Sequence, residues 1–284
     1  MGVTPKAIGW FSSAERFFQT RHSIESFRKF HGEDVTFYLL FCGSIRDLDR
    51  ISVPDYVKVV FPEQMNRYYV ENIDRFGLMG GFPRCLIVDY MMSQNHDAIM
   101  ALDGDTELFA PIDDLWEELA FNNAFVTPHR VYPPPRDGYV MCDEQFALCG
   151  NYNAGFCGFA NTDASRKFVA WWLKMSLDTP ECNMSAGRFA EQGWLRFIAD
   201  YLDRVHICRD QGVNFAFWRY DNHNQFRKVG ENDWTVDGTP LRLFHYGALD
   251  FKDLGRVAIH HNRCRACPDL LAFLERYRTL VMGS

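Results

Sequence analysis

Short, wholly apolar runs alternate with amphipathic stretches over roughly the first hundred residues, a pattern that few architectures accommodate. Ala7–Phe11 is apolar and gives way to Ser12-Ser13. Glu15–Phe30 then places Phe17, Phe18, Ile24, Phe27 and Phe30 at near-helical spacing, which predicts a helix with one buried side. Val35–Cys42 is a continuous β-rich run closed by Gly43, as expected of a strand covered on both faces, and Val57–Phe61 repeats it more weakly. Phe82–Met92 reads as a helix with Pro83 in its first turn, and Ala98–Leu102 as another buried strand that ends at Asp103-Gly104-Asp105. Strand, helix, strand, helix, strand implies right-handed crossovers and a mostly parallel central sheet flanked by helices, an α/β fold. Ligands of such sheets bind outside the carboxyl ends of the strands.

The second half is less regular. Ala124–Thr127, Gly155–Phe159, Val205–Cys208 and Leu241–His245 read as strands, and Ala164–Met175 and Glu191–Leu202 as amphipathic helices. Cys267–Met282 closes the chain as a helix with Leu270, Leu271, Leu274, Tyr277 and Leu280 on its apolar stripe and Pro268 in its first turn. Tyr132–Asp137 is the clearest loop. No repeat, low-complexity tract or linker interrupts the sequence, so one domain over residues 1–284 is expected.

Composition narrows the partners. A net charge of −7 without a long basic run argues against nucleic acid, and an acidic protein that binds a phosphorylated ligand wants a local cation. Nine Cys, an odd number irregularly spread, suit a reducing compartment. The first residues lack the apolar core of a signal peptide, and Lys6 stands where a myristoylation signal has Ser or Thr. Nothing approaches 18 uninterrupted apolar residues, so no membrane span is expected. The expectation is a cytoplasmic protein, at most peripheral to the inner membrane.

Asp103 and Asp105 flank a glycine at the end of an apolar strand. Paired carboxylates on a tight turn suit Mg²⁺ or Mn²⁺, which keep coordination positions open for phosphate oxygens. Asp-Gly pairs also end strands without any function, so the position at a strand's carboxyl end counts for more than the motif. A second cluster, His260, His261, Cys264 and Cys267, has zinc-compatible spacing. No second Cys-x-x-Cys closes a four-ligand site, and Pro268 puts Cys267 at a helix start, which favours a basic loop.

Five segments stand in the order of a known family: IMALDGDTELF around Asp103–Asp105, NYNAGFCGF at Asn151–Phe159, EQGWLRF at Glu191–Phe197, VHICRDQGVNFAFW at Val205–Trp218 and LFHYGALDFK at Leu243–Lys252. With them the chain resembles GT-A glycosyltransferases, Rossmann-like nucleotide-diphospho-sugar transferases. It is most similar to the retaining group that includes glycogenin and bacterial lipooligosaccharide galactosyltransferases, and closer still to bacterial relatives found with surface-polysaccharide genes. The resemblance covers roughly Phe82 to Lys252.

The resemblance implies a nucleotide-binding half at about 1–110 and a sugar- and acceptor-binding half at about 111–284. It implies a nucleotide-sugar donor, UDP by family habit, and a glycan or lipid-linked glycan acceptor, with Mn²⁺ or Mg²⁺ as cofactor. Asp103 would touch the ribose and the metal, Asp105 would bind the metal, and His245 would be the third protein ligand. Gly247 and Lys252 would meet the diphosphate, although Ala248-Leu249-Asp250 departs from the family's usual spacing before the Lys. Asn153 and Ala154 would contact the donor sugar, Arg84 would face the donor, and Ser12 and Ser13 would lie by the nucleobase and ribose. Glu191-Gln192 replaces the family's Asp-Gln. Glu191 would hydrogen-bond sugar hydroxyls, and Gln192 would lie near the anomeric carbon. An amide is a poor nucleophile, so the resemblance favours a front-face, retaining route. Asn214 and Trp218 would shape the acceptor side.

Read without the resemblance, these positions have ordinary roles: a strand-ending His, a strand-entry turn at Asn153, a capped helix start at Glu191 and a solvent-facing helix Arg. Two other functions remain open at this point, a sugar-nucleotide nucleotidyltransferase and a non-catalytic carbohydrate-binding module of the same fold. The first is disfavoured because Ile8–Glu15 holds one glycine and no cation.

Overall fold

The computed structural model describes residues 5–65, 83–138, 142–179, 182–183, 186–220, 225–247, 249–252, 254 and 267–283. The apolar runs become strands: β1 (Lys6–Ser12), β2 (Val35–Phe41), β3 (Val57–Val60), β4 (Ala98–Leu102), β5 (Thr106–Leu108), β6 (Ala124–Pro128), β7 (Tyr152–Ala160), β8 (Val205–Ile207), β9 (Phe215–Ala216) and β10 (Leu243–His245). The helices that matter to the site are α1 (Phe17–Arg28), α2 (Pro83–Ser93), α3 (Asp113–Phe121), α4 (Asp143–Cys149), α5 (Asp163–Asp178), α6 (Ala190–Leu195) and α7 (Pro268–Met282).

Seven strands form the central sheet in the order β8-β6-β7-β4-β1-β2-β3. β1 pairs parallel with β2 and β4, β2 with β3, and β6 with β8. Only β7 runs antiparallel to its two neighbours, β4 and β6. The sheet is mostly parallel, as the alternating pattern implies. Its strands are apolar throughout because both faces are covered. On one face Ala7, Tyr38, Leu40 and Ile99 meet α2 and α5; on the other Ile8, Trp10 and Met100 meet α1 and α3. Each large apolar side chain so buried contributes about 1.5–3 kcal/mol. Gly9 lets α2 approach β1, since a Cβ there would stand 2.7 Å from Ile87 Cγ1.

A smaller sheet, β9-β10-β5, brings the end of the chain back beside β4. β10 lies antiparallel to β5, with His245 opposite Thr106. A third apolar cluster, including Phe244, Tyr246, Phe273 and Tyr277, joins this sheet to α7.

Two expectations need correcting. Glu191–Leu202 does not form one helix: α6 ends at Leu195, and a separate turn spans Ile198–Tyr201. The periodicity is real, for Trp194, Phe197 and Tyr201 all surround Trp171, but it does not reveal the tightening at Phe197, whose N–H bonds to Trp194 O. The apolar stripe of α7 is rotated, burying Leu270, Phe273, Leu274, Tyr277 and Val281 and leaving Leu280 exposed at 43%. Phe273 outcompetes the aliphatic residues because it packs among Phe226, Trp234 and Phe244. His260, His261 and Cys264 lie outside the described residues. Cys267 is buried, its thiol directed to Phe226 O at 3.9 Å. Among the described residues no helix is long and apolar enough to cross a membrane.

Candidate active site

The acidic turn is anchored from several sides. Asp103 leaves β4 donating its N–H to Gly155 O of β7 at 3.0 Å, while Thr106 Oγ1 donates to Asp103 O at 2.9 Å. Thr106 Oγ1 also lies 2.8 Å from Ser23 Oγ of α1, which accepts from the Trp10 indole at 2.9 Å. A Cβ on Gly104 would meet Thr20 Oγ1 at 2.1 Å. The glycine therefore makes room for α1, in addition to any room it gives a ligand.

The β5–β10 pairing delivers the imidazole. Tyr246 donates its N–H to Asp105 O at 2.7 Å, and His245 Nε2 stands 3.1 Å from Asp105 Oδ1 and 3.4 Å from Asp103 Oδ2. One ligand atom from each of the three residues lies within 4.8 Å of the others. Trp218 stands edge-on to the His245 ring at 5.0 Å. Burial disfavours charge on both partners, yet each stabilises the other's ion: the Asp105 carboxyl falls below its ordinary range and the His245 imidazole rises above its own. Two carboxylates and an imidazole converging on one point form a donor set that suits a divalent cation such as Mn²⁺, which would take the place of the imidazolium proton.

Arg84 ties this cluster to a second acid. Helix α2 is buried around most of its circumference, so it carries the guanidinium inside instead of facing it to solvent. Arg84 donates from Nη2 to Asp103 Oδ1 and from Nη1 to Glu191 Oε1. Burial opposes its charge, but the two carboxylates more than compensate and raise its pKa. Burial pushes the Glu191 carboxyl up to about 7 even beside Arg84. Glu191 is fixed through its backbone, whose carbonyl accepts from the Trp172 indole at 2.7 Å.

Gln192 donates to Cys149 O at 3.2 Å and accepts from Ala154 N–H at 3.1 Å and Asn153 Nδ2 at 3.4 Å. Asn153 Oδ1 accepts from Gly155 N–H at 2.9 Å and from Asn214 at 3.1 Å. Asn153, Ala154 and Gln192 thus belong to one web at the start of β7. Asn214 is buried and supports Asn153 from behind.

A cleft of about 260 Å³ opens between the end of β1, the first turns of α1, the start of α2 and the acidic turn. Ser12, Arg84, Asp103, Asp105 and Glu191 line it. The Ser12 hydroxyl is engaged within the protein, accepting from Thr20 Oγ1 at 2.9 Å and donating to Ser13 O at 2.9 Å. Gly247 sits beside the imidazole: a Cβ there would stand 3.2 Å from His245 Nε2. Lys252 is exposed, its backbone N–H bonded to Asp250, and it is not among the described residues lining the cleft.

Two contributors escaped sequence reasoning. Arg16 is exposed and lines the cleft beside Gly104 and Asp105. Its place after β1, in the turn entering α1, was the available signal. His129 lies buried under the web, 2.7 Å from Gly150 O and 3.3 Å from Asn153 Nδ2, and burial lowers its pKa to about 4. A lone His inside a strand-ending segment gives no comparable signal.

No family model matches the chain. YfnF of Bacillus subtilis strain 168, described as uncharacterized, is 28% identical over 169 residues, which is 60% of this chain and 55% of YfnF. YfnD of the same strain, also uncharacterized, is 27% identical over 166 residues, or 56% of this chain and 50% of YfnD. The chain spans about half the length of the curated relatives it matches. Among solved structures, the galactosyltransferase LgtC in complex with donor and acceptor sugar analogues superposes with a TM-score of 0.53 at 14% identity, over 98% of this chain and 95% of that one. An active-site mutant of LgtC gives 0.55 at the same identity and coverage. The likeness, nearly complete in length, establishes the fold: the chain has the GT-A architecture.

Proposed function

We propose that this GT-A chain is a metal-dependent glycosyltransferase that moves a sugar, with retention, from a nucleotide-diphosphate donor to a glycan or lipid-linked glycan acceptor. UDP is the proposed nucleotide. The observation that carries the reading is the meeting of His245 with Asp103 and Asp105 at the edge of a cleft, from strands far apart in sequence. LgtC, of the same fold, was solved with donor and acceptor sugar analogues, which supports a sugar-transfer role for the corresponding cleft here.

Asp103, Asp105 and His245 would hold the cation, and the Gly247 backbone, packed beside Trp218 and His245, would meet the diphosphate. Bound there, Mn²⁺ or Mg²⁺ would stabilise charge developing on the departing diphosphate. Arg84 fixes Asp103 and Glu191 in one frame, so Glu191 presents its remaining acceptor capacity to sugar hydroxyls. Asn153 and Ala154, held with Gln192 in one web behind the cleft lining, would lie on the sugar side of the site. Gln192 is a neutral amide, and Glu191 is committed to Arg84, so neither offers a free carboxylate to attack the anomeric carbon. That favours departure and attack on one face. Arg16 supplies a cation on the cleft rim, a part that Lys252 does not take here.

Incubation with a panel of nucleotide sugars tests the reading. Release of the nucleoside diphosphate with Mn²⁺, abolished by chelator and by Asp105→Ala in a folded protein, is the expected result. Release of pyrophosphate would instead identify a nucleotidyltransferase, and binding without turnover a non-catalytic module.

A further inference from the structure

Helix α7 lies beyond the sequence segments that resemble glycosyltransferases, yet one turn of it holds Glu107, just after the Asp103–Asp105 turn, and Tyr246, just after His245. Arg276 of α7 grips Glu107 with two bonds, Nη2 to Oε1 at 2.7 Å and Nη1 to Oε2 at 3.0 Å. Glu107 lies on β5, two residues after Asp105, and is 2% exposed. It also accepts from the Tyr246 hydroxyl at 2.7 Å, and Tyr246 directly follows His245. Tyr277, next to Arg276, stacks flat on Tyr246 with ring centroids 3.5 Å apart, and its hydroxyl accepts from Gln19 of the cleft at 3.4 Å. His22 Nε2 of α1 closes the arrangement 3.2 Å from Glu107 Oε1.

We infer that Glu107, Tyr246 and Arg276 are positioning residues that make α7 part of the scaffold of the metal site. The inference rests on the metal reading above. The Tyr246–Glu107 bond adds a side-chain tie to the Tyr246 N–H to Asp105 O bond, so the segments that carry Asp105 and His245 cannot slide past each other without breaking a buried contact. Arg276 and Tyr277 lock that joint from outside. Outer contacts of this kind orient ligands and tune metal affinity.

Mn²⁺ titration followed by electron paramagnetic resonance, on the full chain without substrate, tests this. Tyr246→Phe removes one hydroxyl, and Arg276→Met removes the grip; each is expected to weaken Mn²⁺ binding by roughly tenfold and to broaden the bound spectrum. Arg276→Lys restores part of the affinity. Removing a cation near the site would by simple electrostatics tighten Mn²⁺ binding, so weakening reports geometry and not charge. Leu270→Ala, a core truncation on the same helix away from the clamp, controls for destabilisation and should leave the Mn²⁺ constant within about twofold. The inference is overturned if Arg276→Met and Tyr246→Phe bind Mn²⁺ as well as or better than the unaltered chain, or if Leu270→Ala weakens it equally. Failure of the unaltered protein to bind Mn²⁺ would instead overturn the metal reading itself, and this inference with it.

Discussion

Gly155 lies where any side chain would strike the imidazole of the proposed metal site, since a Cβ there would stand 2.2 Å from His245 Cε1. Gly155→Ala must displace His245 or bend β7, at a cost of about 1–3 kcal/mol in stability. Mn²⁺ affinity is expected to fall by roughly tenfold or more as the imidazole leaves the carboxylates. An unchanged Mn²⁺ constant in calorimetry would contradict the placement of His245. For Arg16 the expected effect is on binding: Arg16→Ala raises the donor KM by roughly fivefold to tenfold with kcat nearly unchanged, more so at low salt. A fall in kcat alone would count against a role in holding the donor. Asp103 and Asp105 stood out in the sequence because acidic residues ending an apolar strand stand where this sheet class binds ligands, whereas His245 was singled out only through the family resemblance. Arg16 offered only its place after the first strand, and His129 offered no signal, because each is one residue without a repeating or paired pattern. Lys252 shows the reverse, a residue in family order that the local chain leaves exposed.

Helix α5 supports the site from behind, since its Trp172 indole fixes the Glu191 carbonyl. Its start is capped by Thr162, whose hydroxyl accepts from Ser165 N–H at 3.2 Å and also reaches Asn123 Oδ1 at 2.8 Å. Thr162→Ala is expected to cost about 1–2 kcal/mol in denaturant unfolding while leaving turnover intact. No loss of stability would mean that the helix is held by packing alone. Element positions were legible because a buried strand and a one-sided helix have different periods. Strand direction was not: β7 is apolar along most of its length, and a run buried on both faces looks the same whichever way it runs. The rotated stripe of α7 has a similar cause, for side-chain spacing admits two adjacent faces and only the aromatic cluster around Phe273 chooses between them.

Across the whole molecule, several imidazoles are folded into the interior, and burial lowers the pKa of His31, His96 and, to about 4, His129. Above the ordinary His value of 6.5 these groups are neutral in both folded and unfolded chains and cost nothing. As pH falls below that value the unfolded chain takes up protons that the native state refuses, so stability is lost progressively down to about 4. His129 alone removes on the order of 2 kcal/mol between about pH 7.5 and about pH 5. Urea unfolding at the two pH values should show the loss, and His129→Gln should reduce it; equal stabilities would contradict the neutral, buried imidazole. The α/β class and mostly parallel sheet were legible from alternation alone. The joining of β5 to β10 was not, because it depends on where the last third of the chain returns in space, and that return is what builds the proposed site. Its most direct test is anomalous diffraction at the manganese edge from crystals soaked with Mn²⁺ and UDP. The account predicts one strong peak between Asp103, Asp105 and His245 with the diphosphate against it; a peak elsewhere, or none with nucleotide bound, would contradict it.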